Sequence, residues 1–353
     1  MDRLSVFVAQ ALRVAGVRED VAEAVTAGLI QASVRGVDSH GVRLLPHYLE
    51  GVRGGRINPN PQYQFERTSP STGRLDADHT FGHAAGREAA RHAVLLAREA
   101  GSGWVAVENS SHFGAAAFFA LEIAAQDMIG MSLTNTDALV KTYGGTRPFL
   151  GNNPICVAVP CEGEEPFCLD MATSVVSFNK IRQLRESGQQ AEPGWGADRQ
   201  GRETTDPHAV TSLLPIGGYK GYGLSLMVEI LCSLLTGMAY GPQIPKMFEA
   251  PLSEHRRLGH WIMALRIDCF QEIGAFKTRM SQLLNELRRE PRADPEVPVQ
   301  VAGDPEKRCA RERLVQGIPL SSAELEAFSQ LAQAYRVPWA WGPIEPTVGA
   351  GKR

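Results

Sequence analysis

The chain lacks the features that mark membrane, secreted or nucleic-acid-binding proteins. No apolar run approaches the ~20 residues a membrane helix needs. The opening, MDRLSVFVAQALRVAGVRED, has neither the basic start nor the apolar block of a secretory signal. Six cysteines, at 156, 161, 168, 232, 269 and 309, form no CxxC pair and sit mostly in apolar contexts such as NPICVAV. They read as small buried hydrophobes, and a reducing cytoplasm is the expected compartment. No sign of charge dominates: 36 basic residues face 39 acidic ones, for a net charge of -3. That balance gives no electrostatic reason to expect nucleic acid or an anionic membrane as partner. The basic clusters EHRR (254–257) and LRREPR (287–292) read as solvated helix faces.

Several catalytic signatures are also missing. The only GK is at 351–352, so no Walker A loop exists, and no GxSxG elbow occurs. HTFGH (79–83) spaces two histidines four apart but lacks the glutamate of a zinc HExxH, so no metal is expected. GSGWVA (101–106) follows a helix and precedes a strand, the reverse of the order that aims a helix at a pyrophosphate. It reads as a helix C-cap.

What is present is a globular chain of 353 residues, 43% hydrophobic, long enough for two modest domains. Residues 2–35 show helical spacing with a turn at GVRED, and a short helix precedes the loop GGRINPNP. From about residue 63 short β-like runs alternate with helices: 83–101 and 115–128 read as helix, WVAVEN, IGMSLTNT, PICVAVP and PFCLDM as strands. YGLSLMVEILCSLLTGMA (222–239) is the most apolar helix and is expected in the core of the middle domain. GHWIMALRID reads as strand, then helices cover 275–289, 304–315 and 321–334, and GAGKR closes as a loose tail.

Four stretches carry possible chemistry. In DSHGVR (38–43) a histidine that titrates near neutrality sits beside a carboxylate, a hydroxyl and an arginine able to clamp a substrate carboxylate; a capped helix start is the alternative. ENSSHFGAAAFFA (108–120) is a strand-to-helix junction with free backbone N–H groups for an anion, or a plain serine cap. GTRPFLGNNPICVAVP with PFCLDMATS (145–174) sets polar residues at strand ends, where Asp170 can take a ribose or cap a helix near Val175. LPIGGYKGYGLSLMVE (214–229) surrounds Lys220 with glycines, a phosphate site or a tight turn.

Together and in this order, GVDSHGVRLLPHY, NSSHFGAA, GNNPI, LDMATS, GGYKGYGL and VAGDPE (301–306) resemble the type-2 malate/L-lactate dehydrogenases. Ureidoglycolate dehydrogenase, diketogulonate reductase, sulfolactate dehydrogenase and the piperideine-2-carboxylate reductases belong to that group. The resemblance runs from about residue 5 to 335 and implies an α/β fold that is not Rossmann. It implies a largely antiparallel mixed sheet in a nucleotide domain (69–258), with N-terminal helices (1–68) and a C-terminal segment (259–353) packed together. It further implies a homodimer that uses NAD or NADP. By position, His40 is implied as the proton donor, with His112 as rival. Ser39 and Arg43 are implied at the substrate. Thr136, Asp170, Met171, Ala172, Lys220, Gly303, Asp304 and Pro305 are implied at the cofactor, with Thr173, Ser174 and Tyr219 beside them.

One departure matters: many relatives read SHGVxRLP, whereas here Leu44 takes that place and Arg43 stands one residue earlier. One residue is a rotation of about 100° on a helix, so Arg43 is expected to turn from the substrate, with Lys141 of LVKTYGG as a substitute. The expected reaction is hydride transfer between the cofactor and C2 of a small 2-hydroxy or 2-oxo acid. Alternatives are reduction of a cyclic 2-imino acid and, remotely, an inactive cofactor-binding protein.

Overall fold

The computed structural model describes residues 2–339 and 341; the GAGKR tail lies outside the described residues. Four helices bury one another first. They are α1 (Asp2–Val14), α2 (Glu19–Val34), α3 (Leu45–Gly54) and α10 (Ser322–Tyr335). Their apolar stripes meet in a core around Phe7, Leu12, Leu29, Tyr48 and Phe328. Each such side chain removed from water contributes ~1.5–3 kcal/mol. Ser321 starts α10 with a capping box, its hydroxyl and Glu324 exchanging bonds across the first turn. The sequence reading of N- and C-terminal helices packing together therefore has a physical basis in shared apolar faces.

The middle of the chain builds a seven-stranded sheet from β1 (Gln64–Ser69), β2 (Thr72–Asp76), β3 (Ser102–Ser110), β4 (Met128–Thr134), β7 (Ile155–Val159), β8 (Phe167–Met171) and β12 (Leu258–Arg266). The order is β1-β2-β3-β12-β4-β7-β8, and only β2 and β3 run parallel. The sheet is thus mixed and largely antiparallel, as expected. β12 lies between β3 and β4, so a late segment completes the sheet's centre. Helices α4 (Gly82–Ala100) and α5 (Ala117–Ala124) cover it, with Ala93, Val105, Phe119 and Ile262 among the buried residues. α4 ends at Gly101 in the left-handed conformation, its N–H on the Ala97 carbonyl, which bears out the C-cap reading of GSGWVA.

A second sheet joins five short strands, β5 (Val140–Lys141), β6 (Pro148–Leu150), β9 (Gly196–Ala197), β10 (Glu203–Thr204) and β11 (Ser212–Leu213), beside α6 (Phe178–Ser187). α8 (Ile273–Arg288) and α9 (Asp304–Gln316) follow β12. The cluster LRREPR includes the last turn of α8, and Arg288 is half-buried, bridging Glu164 and Asp304.

α7 (Tyr219–Glu229), continued by a π-helical turn at Ile230–Leu234, overturns an expectation. Its apolar sequence predicts a core helix, yet Leu224, Leu226, Met227, Ile230, Leu234 and Leu235 are exposed. Its buried side holds Ser225, Val228, Glu229, Cys232 and Ser233 instead. Glu229 is fixed there by Asn153 Nδ2 at 2.6 Å and Gly241 N at 2.7 Å. Apolarity counted along a sequence does not by itself say which residues are buried.

Candidate active site

The 38–48 segment leaves α2 through two short 3-10 turns and enters α3. Asp38 is clamped by both terminal nitrogens of Arg313 on α9, at 2.6 and 2.9 Å, so it does not orient the histidine. The neighbouring hydroxyl does: Ser39 Oγ lies 2.9 Å from His40 Nδ1. The ring of His40 stacks on that of His112, centroids 5.4 Å apart. His112 Nδ1 in turn lies 2.7 Å from the hydroxyl of Tyr48, a core residue of α3. Burial raises the Tyr48 phenol above its ordinary value, so it stays protonated; as donor to Nδ1 it would leave the ring proton of a neutral His112 on Nε2.

Both histidines face a cleft of about 920 Å³ between the helical unit and the sheet. Crowding by protein pushes His40 down to about 4, although its ring edge opens to the cleft. His112 is driven well below its usual range by burial and then by His40, His83 and Arg256. Near neutral pH both rings are therefore uncharged.

Arg256 also lines the cleft, 3% exposed, with a terminal nitrogen 2.5 Å from Asp137 Oδ1. Its Nε is buried without a partner. The cluster EHRR is thus no solvated helix face: it is an irregular segment, and the first of its two arginines is inside. Arg56, also buried, holds that segment by donating to the carbonyls of Met247, Ala250, Pro251 and Glu254.

Of the residues singled out from sequence, Ser39, His40, Arg43, His112, Thr136, Asp170, Ala172, Gly303 and Pro305 line the cleft. Arg43 was expected to turn away; it stands exposed on the cleft wall, while Leu44 is packed into the helical core. Two consecutive 3-10 turns, rather than one continuous α-helix, set that direction. Lys141 donates to the Gly201 carbonyl at 2.7 Å and lies off the cleft wall. Thr173 donates to the Asn152 carbonyl and Ser174 to that of Val176, both bracing the cleft from behind. Met171 ends β8, and Asp304 pairs with Arg288 at the start of α9. Tyr219 and Lys220 are exposed at the start of α7, Tyr219 edge-on to Tyr143.

The sequence model of malate/L-lactate dehydrogenase matches residues 1–329. The chain belongs to that family. A malate dehydrogenase of Pyrococcus abyssi is 37% identical over 342 residues, covering 94% of this chain and 93% of the relative. A ureidoglycolate dehydrogenase (NAD(+)) of Escherichia coli O157:H7 is 33% identical over 273 residues, 77% of this chain and 78% of its own. The crystal structure of malate dehydrogenase from Entamoeba histolytica superposes with a TM-score of 0.91 at 29% identity, covering 96% and 98% of the two chains. This member of the malate/L-lactate dehydrogenases is accordingly an oxidoreductase that works with a nicotinamide cofactor.

The cleft fits such a group. Its volume lies at the upper end of the ~300–1,000 Å³ usual for small-molecule sites. Asn152 Oδ1 is buried on its wall without a partner. Gly303, at φ 94°, brings backbone so close to β8 that a Cβ would meet the Cys168 backbone at 3.1 Å. Asp170 accepts from Ala117 N at 2.9 Å, and burial pushes its carboxyl up to about 6, partly offset by that bond.

Sequence reasoning passed over Tyr48, Asp137 and Arg256. Tyr48 lies inside the quoted histidine segment and Asp137 directly follows Thr136. For Arg256 the sequence carried no usable signal, since its neighbour Arg257, one residue nearer β12, is exposed.

Proposed function

We propose that the protein transfers hydride between NAD or NADP and C2 of a small 2-hydroxy or 2-oxo acid. The observation that carries this is the stacked His40–His112 pair and a buried arginine with a free Nε on the lining of one cleft. A carboxylate on Arg256 would set the adjacent C2 oxygen toward the histidines. Arg43 on the cleft wall is the second candidate contact. The cofactor, held by Thr136, Asp170, Met171, Ala172 and Gly303–Asp304–Pro305, supplies or accepts the hydride. Thr173, Ser174, Tyr219 and Lys220 support or extend that set, the first two from behind the wall.

His40 is assigned the proton transfer. Burial, then His40, His83 and Arg256, holds His112 well below its usual range, whereas burial alone lowers His40, so His40 is the easier ring to protonate. Neutral His112, its tautomer fixed by Tyr48, donates Nε2–H to the same substrate oxygen. Ser39 holds the far nitrogen of His40 while the near one takes or gives the proton.

The exposed apolar face of α7 is assigned to a second copy of the chain, giving a homodimer. No described helix is long and apolar enough to cross a membrane; a cytoplasmic location remains part of this proposal.

The test follows nicotinamide absorbance with malate, lactate, sulfolactate and ureidoglycolate oxidatively, and with pyruvate, oxaloacetate and cyclic imines reductively. Turnover of a hydroxy acid supports the reading. Turnover of imines alone replaces it with imino-acid reduction. Cofactor binding without any turnover favours an inactive binder.

A further inference from the structure

The motif HTFGH, set aside as a zinc site, contains a buried group that the reaction above does not use. His79 stacks on His255, rings 3.8 Å apart, and among the described residues no cluster of three metal-ligating side chains occurs. His83, in the first turn of α4, is fully buried, and neither ring nitrogen has a hydrogen-bond partner. Buried polar groups are nearly always paired, so an imidazole left with none requires a reason.

Its surroundings supply one. A Cβ on Gly28 of α2 would meet His83 Cδ2 at 2.4 Å, and a Cβ on Gly114 would meet Nε2 at 2.3 Å. The ring is therefore a wedge. On one side is the helix that leads into Asp38–His40; on the other is the loop that carries His112. Its face is met edge-on by Tyr48, centroids 5.5 Å apart, the residue whose hydroxyl holds His112. Both catalytic candidates are close enough to interact electrostatically with it.

We propose that His83 is a positioning residue of the hydride-transfer site: wedged between Gly28 and Gly114, it sets the spacing of His40 and His112 and holds Tyr48 on His112. This rests on the dehydrogenase reading. It acts through the two histidines and touches neither substrate nor cofactor. The two glycines are its complement, since any side chain there displaces it.

The test uses the full-length protein with its best acid substrate. His83→Ala should lower kcat at least tenfold while the cofactor Kd stays within twofold. The primary isotope effect with deuterated reduced cofactor should rise, because misaligned chemistry becomes rate-limiting. His83→Gln should recover part of kcat. Gly28→Ala keeps the imidazole but pushes it, and should also lower kcat; in the Gly28→Ala/His83→Ala double variant that added loss should vanish. The Gly28→Ala result decides the matter where His83→Ala does not fold. Wild-type kcat and isotope effect in cofactor-binding His83→Ala or Gly28→Ala would overturn the proposal and show a space-filling ring. Failure of the dehydrogenase reading itself is separate: it would appear as no turnover by wild-type protein. Histidine ¹⁵N spectra would still report the His112 tautomer, which should change in His83→Ala and would refute the proposal if it did not.

Discussion

Replacing Arg256 by methionine tests the substrate assignment most directly. Methionine keeps much of the apolar stem and removes the guanidinium. One Nε–H is free for a substrate carboxylate, because a terminal nitrogen is already spent on Asp137. A hydrogen bond to a charged group is worth ~1.5–3 kcal/mol. At ~1.4 kcal/mol per decade, its loss lowers kcat/KM for the acid by ~10–150-fold. The same change leaves the Asp137 carboxylate buried without its cation, which costs ~3–5 kcal/mol of stability. The double variant Arg256→Met/Asp137→Asn should regain most of that stability and none of the activity. Steady-state kinetics with varied acid, and urea unfolding of both variants, separate the two effects. Folded Arg256→Met with kcat/KM within threefold of wild type would refute the reasoning. So would a loss confined to cofactor affinity.

Three further outcomes are expected. His40→Ala should lower turnover by ~10²–10⁴-fold, and His112→Ala should also impair it; normal turnover in His40→Ala with none in His112→Ala would exchange their roles. Acid should unfold the protein early, because burial holds His83 and His260 at about 3 in the folded state against 6.5 for a free ring. Their stabilising contribution is complete above pH 6.5 and falls by ~1.4 kcal/mol per pH unit for each ring below it. By pH 4.5 the pair loses ~5.5 kcal/mol, measurable by urea titration; stability flat from pH 7 to 4.5 would contradict this. Leu234→Glu, placed on the exposed face of α7, should halve the mass measured by light scattering, and an unchanged dimer would exclude that face.

The fold was largely legible because local patterns and tertiary burial agree over most of the chain. Helix 83–101 and strand WVAVEN emerged almost residue for residue as α4 and β3. The cleft was legible through three of the four stretches, which line it while 214–229 does not, though their spacing alone left each ambiguous. What escaped depends on distance in sequence. The Arg256–Asp137 pair joins positions more than a hundred residues apart, and a basic cluster looks solvated until its partner is known. Likewise, α7 reads as core because its apolar residues do not declare which of them face out of the fold.

The place of β12 bears on how the protein is made. β3 and β4 are finished early, yet each pairs with β12 and not with the other. More than a hundred residues must be synthesised after β4 before β12 begins. At ~5–20 residues per second, the nascent chain waits on the order of ten seconds with two open strand edges. Such long-range pairing also folds slowly, so heterologous production should be limited by aggregation of incomplete chains. Slower growth at low temperature, or chaperones that shield strand edges, should help more than any change at the surface of the finished protein.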